Sequence, residues 1–91
     1  MKDKPTYGAR AILLDVLTLC MQISINTKAD CFFSYEPHCN SYSVNIHMDG
    51  WKSGGEAEFI EMVTDITEDN IKATVKKLAA IYCDLEVLKY V

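Results

Sequence analysis

From Ala11 to Ile25, eleven of fifteen residues are apolar, and Asp15, Thr18 and Gln22 recur at spacings of three and four. On a helix these three side chains form one narrow polar stripe along an otherwise apolar cylinder. A helix of this kind, spanning about residues 7–25, constrains the rest of the chain strongly. One sheet covers roughly a third to a half of a helix, so the remaining circumference must meet a second helix, another chain or water. Pro5 and Thr6 supply start chemistry, and the β-branched, Asn-containing stretch from Ser24 to Asp30 ends the helix.

Beyond it the hydrophobic period changes to two. Cys31, Phe33 and Tyr35 alternate with Asp30, Phe32, Ser34 and Glu36. After the turn residues "EPHCNS", Tyr42, Val44, Ile46 and Met48 alternate with Ser43, Asn45, His47 and Asp49. Two such runs around a Pro/Asn/Ser loop predict an antiparallel hairpin with strands at about 30–35 and 42–48. Aligning their apolar faces sets Phe33 opposite Val44, Cys31 opposite Ile46, and Asp30 opposite His47. A glycine-marked connection, "DGWKSGGE", leads to a third strand at about 57–63. Turning Ile60 and Met62 inward keeps the Glu61 carboxylate out of the core, which sets Ala57, Phe59 and Val63 on the outer face.

Thr67 is a good N-cap, and Glu68 and Asp69 suit the positive end of a helix. Ile71, Val75, Leu78, Tyr82 and Leu85 then recur at helical spacing, giving a second helix over about 67–84, extending as far as 89. The expectation is one α+β domain over residues 1–91, in the order α-β-β-β-α. Its three-stranded antiparallel sheet carries both helices on one face. Double-stranded-RNA-binding domains share this order, and "KATVKKLAAIY" resembles their basic second helix in a handful of residues. Those domains present a basic helix start and basic loops to phosphates. Here the helix opens "TEDN" and the loop "DGWKSGGE" holds a single lysine, so the resemblance does not extend to RNA as a ligand.

A formal charge of −4 also lacks the basic footprint of a nucleic-acid binder, and is too modest for a mimic of nucleic acid. The early Lys and Arg followed by an apolar run invite comparison with a secretion signal. Asp15 interrupts the run, and Leu19 stands where the lipoprotein pattern around "LTLC" needs a small residue. Within this N-terminal run no uninterrupted apolar stretch exceeds four residues, against about 20 for a membrane span. The expected location is cytoplasmic, with no membrane partner and with reduced cysteines.

Cys31, His38, Cys39 and His47 fall within one stretch, but without the paired spacing of a structural zinc site. The predicted hairpin also sends Cys31 and His47 to opposite faces. A Cys31–Cys39 disulfide is excluded by the roughly 13 Å of extended chain between Cys31 and the loop. Cys20, Cys31 and Cys83 are expected as core thiols. No metal and no cofactor is expected, and no catalytic residue is assigned.

Two features exceed what a solitary domain needs. Around the first helix, Leu13, Leu14, Leu17 and Met21 offer a surface for self-association. On the outer face of the sheet, Phe32, Phe59, Val63 and His47, extended by Trp51, form an expected protein-binding surface. The expected function is a small non-catalytic interaction or accessory module, homodimeric, with an unidentified protein partner. Regulatory proteins of this size are common, including on phages and other mobile elements. The alternative is a small thiol-dependent enzyme or ligand-binding domain using Glu36, His38 and Cys39 in the loop, since a neighbouring histidine can activate a thiol. A nucleic-acid binder or mimic stands third.

Overall fold

The computed structural model describes residues 7–85. Along the chain it has α1 (Tyr7–Asn26), β1 (Asp30–Glu36), a single 3-10 turn (Pro37–Cys39), β2 (Ser41–His47), β3 (Phe59–Val63) and α2 (Glu68–Asp84). The start chemistry assigned to Pro5 and Thr6, and the extension of the second helix towards residue 89, lie outside the described residues.

The three strands form one antiparallel sheet in the order β1-β2-β3. Phe33 pairs with Val44, Cys31 with Ile46 and Asp30 with His47, the register that aligning the apolar faces requires. The hairpin turns through Asn40, whose φ of 50° lies in the left-handed region that asparagine tolerates better than most residues. Tyr42, Val44 and Ile46 of β2 are fully buried, and both helices lie against the face they define. From α1 come Ala9, Val16, Cys20 and Ile23; from α2 come Ile71 and Leu78. α1 also packs along α2, and Asn26 Nδ2 donates to the Tyr82 hydroxyl at 2.8 Å.

α2 begins as its sequence prescribes. The Thr67 hydroxyl accepts from the Asn70 N–H at 3.2 Å, and Glu68 and Asp69 fill the first turn. Between β2 and β3 the glycine-marked connection is tied back to the start of β1. Lys28 Nζ lies 2.8 Å from Asp49, and the Trp51 N–H donates to Asp30 Oδ2 at 2.7 Å. Gly50, at φ 92°, is needed there, because a Cβ would both strain the backbone and come within 3.3 Å of the Lys28 carbonyl.

β3 faces opposite to the expectation. Val63 pairs with Tyr42, Glu61 with Val44, and Phe59 with Ile46, so these three side chains turn towards the helices. Phe59 and Val63 pack against the core, and it is Ile60 and Met62 that face outward, 65% and 70% exposed. Glu61 is tolerated on the inner face because it has partners. Lys77 reaches it from α2 at 2.9 and 3.2 Å, and the Thr74 hydroxyl lies 3.4 Å from Oε2. Thr74 in turn shares a 2.6 Å hydrogen bond with the Tyr42 hydroxyl. A paired carboxylate near the rim of the core costs far less than an isolated one, which frees Phe59 and Val63 to fill the interior.

Candidate interaction surfaces

The outer face of the sheet takes its shape from the register. Phe32, Asn45 and Ile60 form one row across the three strands, and Ser34, Ser43 and Met62 form the next. His47 turns its ring edge-on to Phe32, with centroids 5.6 Å apart. Of the residues expected on this face, Phe32 and His47 are present, whereas Phe59 and Val63 belong to the core side. Ile60 and Met62 take their place, so the face remains apolar with different members. Trp51 is exposed beside the Asp30 end, where its backbone is held by the Asp30 carboxylate. That bond engages Asp30 with the loop, while the His47 ring is engaged with Phe32.

On α1 the exposed side chains separate into two stripes. Asp15, Thr18 and Gln22 form the polar one; Leu14, Leu17 and Met21 form an apolar one beside it, continued by Ile25. Leu14 is 64% exposed and Met21 54%, while Leu13 turns in and packs against the core. Ile25 belongs with the exposed set, lying one turn beyond Met21 on the same side of the helix. The Thr18 hydroxyl donates to the Leu14 carbonyl at 2.9 Å, so this residue adds a methyl and an internally satisfied hydroxyl to the surface. By length and composition the segment Gly8–Asn26 of α1 would also suit a membrane crossing. Its Val16, Cys20 and Ile23 side chains are buried in the domain core.

Beside this stripe a groove of about 340 Å³ runs between α1 and β1. Leu17, Cys20, Met21 and Ser24 line one wall; Cys31 and Phe33 line the other. The Cys20 and Cys31 thiols share a hydrogen-bonding contact there. Accepting it lowers the pKa of Cys20 against the opposing effect of burial. The same contact, burial and the charge a Cys20 thiolate would carry all raise that of Cys31. Sequence spacing does not by itself pair these two. The signal was available: Cys20 shares the buried face of α1 with Val16 and Ile23, and Cys31 has the inward parity of Phe33.

Cys83 is not a core thiol; it lies exposed near the end of α2. His38 and Cys39 are both exposed in the 3-10 turn. The Glu36 carboxylate accepts from the Ser34 hydroxyl at 2.7 Å. Among the described residues no three His, Cys, Asp or Glu side chains are placed to hold a metal ion together. Tyr42 has its hydroxyl pKa raised, chiefly by burial and further by the Glu61 charge, with the Thr74 hydrogen bond opposing. It is therefore a neutral structural hydroxyl at ordinary pH. Comparison of the chain with protein-family models, curated proteins and solved structures returned no match.

Proposed function

We propose that the protein is a small non-catalytic interaction module that pairs with a second copy through α1 and binds another protein with the outer face of its sheet. The observation that carries this reading is the presence of two separate apolar surfaces on one small domain. One is the Leu14, Leu17 and Met21 stripe on α1; the other is the Phe32, Ile60 and Met62 face of the sheet. Scattered exposed apolar residues are ordinary on a soluble domain, whereas contiguous sets mark contact surfaces.

The α1 stripe suits a second copy in particular. In an antiparallel pair of α1 helices Leu14 faces the far end of the partner stripe and Leu17 faces the region of Met21, so one surface complements itself about a two-fold axis. Each Leu or Met that becomes fully buried gains about 1.5–3 kcal/mol over exposure. The internally bonded Thr18 hydroxyl adds little desolvation cost at the border of the patch. The sheet face, with Asn45, Ser34 and Ser43 between its apolar side chains, has the mixed character of a protein-binding surface. The net charge of −4 argues against nucleic acid as its partner.

Sedimentation equilibrium at micromolar concentration tests the self-association. The expected mass is twice the 10.3 kDa of the chain. Met21→Glu and Leu14→Glu, at exposed positions, should return it to one chain mass with the circular dichroism spectrum unchanged. A monomeric wild-type protein would refute the α1 pairing.

A further inference from the structure

We propose that Cys20 and Cys31 form a redox dithiol, oxidised to an intramolecular disulfide by small peroxides entering the groove between α1 and β1. Three features of the fold lead there. Both thiols line the same groove, one from each wall. The Ser24 hydroxyl, one turn after Cys20 on α1, accepts from the Cys31 N–H at 2.9 Å and lies 3.4 Å from the Cys31 carbonyl oxygen. The helix and strand backbones are thus held within the reach of one serine side chain, one turn along α1 from Cys20. The third feature is access: little of Cys20 is exposed, but it lines the groove beside Cys31, which is only partly buried.

The contact between the two sulfurs divides their roles. Cys20, whose thiolate is stabilised by the Cys31 S–H, is the nucleophile; Cys31 holds the proton and resolves. Cys20 releases its proton to solvent, and its thiolate attacks one oxygen of hydrogen peroxide or a small organic hydroperoxide. The O–O bond breaks, an S–O bond forms, and the departing hydroxide or alkoxide takes the Cys31 proton. The Cys31 thiolate then attacks the Cys20 sulfenic sulfur, forming the S–S bond and expelling hydroxide, which recovers the proton released at the start. The two thiols lose two hydrogens together, and the peroxide is reduced to two waters, or to water and an alcohol. The product ties α1 to the edge strand across the groove.

The test uses the full chain carrying Cys39→Ser and Cys83→Ser, two exposed positions, so that the pair supplies the only thiols. Treated with hydrogen peroxide in native buffer and then alkylated, the protein should lose the mass of two hydrogens and take up no alkyl group. A peptide joining residues 20 and 31 should appear and vanish on reduction. The oxidised form should melt at a higher temperature than the reduced one, reversibly with dithiothreitol. Adding Cys31→Ser should stop the reaction at a Cys20 sulfenic acid that dimedone traps. The proposal is overturned if both thiols remain open to alkylation, if oxygen is added without a bridge in the two-thiol protein, if the bridge joins two chains, or if it forms only in denaturant.

Discussion

β2 and β3 lie side by side in one sheet, yet their faces are decided differently. In β2 the alternation is between chemical classes: Tyr42, Val44 and Ile46 against Ser43, Asn45 and His47. Hydrophobicity alone orients such a strand, and a shift of one residue would reverse every side chain. β3 reads Phe59, Ile60, Glu61, Met62, Val63, so either face is apolar and only the carboxylate distinguishes them. The rule that a charge belongs outside is a rule about charges without partners. α2 supplies Lys77 and Thr74, and with them the rule no longer applies to Glu61.

The sharpest way to break this comparison is to place one charge at matched positions on the two strands. Ile46→Asp puts an unpaired carboxylate into the fully buried core and should unfold the domain, at a cost of several kcal/mol. Ile60→Asp, on the outward side of β3, should leave the urea midpoint within about 0.5 kcal/mol of wild type. Equal losses for the two would mean that β3 turns the other way.

A smaller effect isolates the partners of Glu61. Lys77→Met should cost about 1 kcal/mol, a value kept low because the lysine side chain is 54% exposed. The loss should shrink when Glu61→Gln is made in the same chain, since no charge is then left stranded beneath α2. Chemical denaturation of the four proteins gives the coupling, and full additivity would dissolve the explanation offered for β3.

The mildest prediction concerns Tyr42. Burial, opposed by the Thr74 hydrogen bond and reinforced by the charge of Glu61, raises its folded pKa above the ordinary tyrosine value of 10.0. The folded state therefore holds this proton more tightly than the unfolded chain. Its contribution is fully present below about pH 10 and is lost as the pH rises through the folded value. Stability measured against pH should fall on that alkaline side, and Tyr42→Phe should flatten the fall. An unchanged slope would show that other groups are responsible.

The legible parts of the fold were those decided locally. The β1–β2 register follows from two short alternating runs, and the α2 start follows from Thr67 and the acidic residues after it. The facing of β3 was not legible, because it depends on Lys77 and Thr74, which are distant in sequence and on a different element. The surfaces were half legible for the same reason. An apolar excess on α1 is visible from residue spacing, but whether Leu13 or Ile25 completes the exposed stripe depends on how the helix is rotated against its neighbours. The thiol pair needed both kinds of information: the inward parity of each residue and the rotation that sets Ser24 against Cys31.

The contact between α1 and α2 has a consequence for the order in which the molecule is assembled. Ile23 and Leu78 belong to one core but come from opposite ends of the described chain. A ribosome adds roughly 5–20 residues each second, so α1 waits several seconds for the helix that covers it. The β1–β2 hairpin is made sooner, and α1 can shelter against it through Val16 and Ile23 while α2 is still being synthesised. During that interval the nascent chain exposes both its permanent apolar stripe and a face destined for the interior. Slower translation beyond Val63 would prolong this stage, making the newborn chain a better client for chaperones than its modest final size suggests.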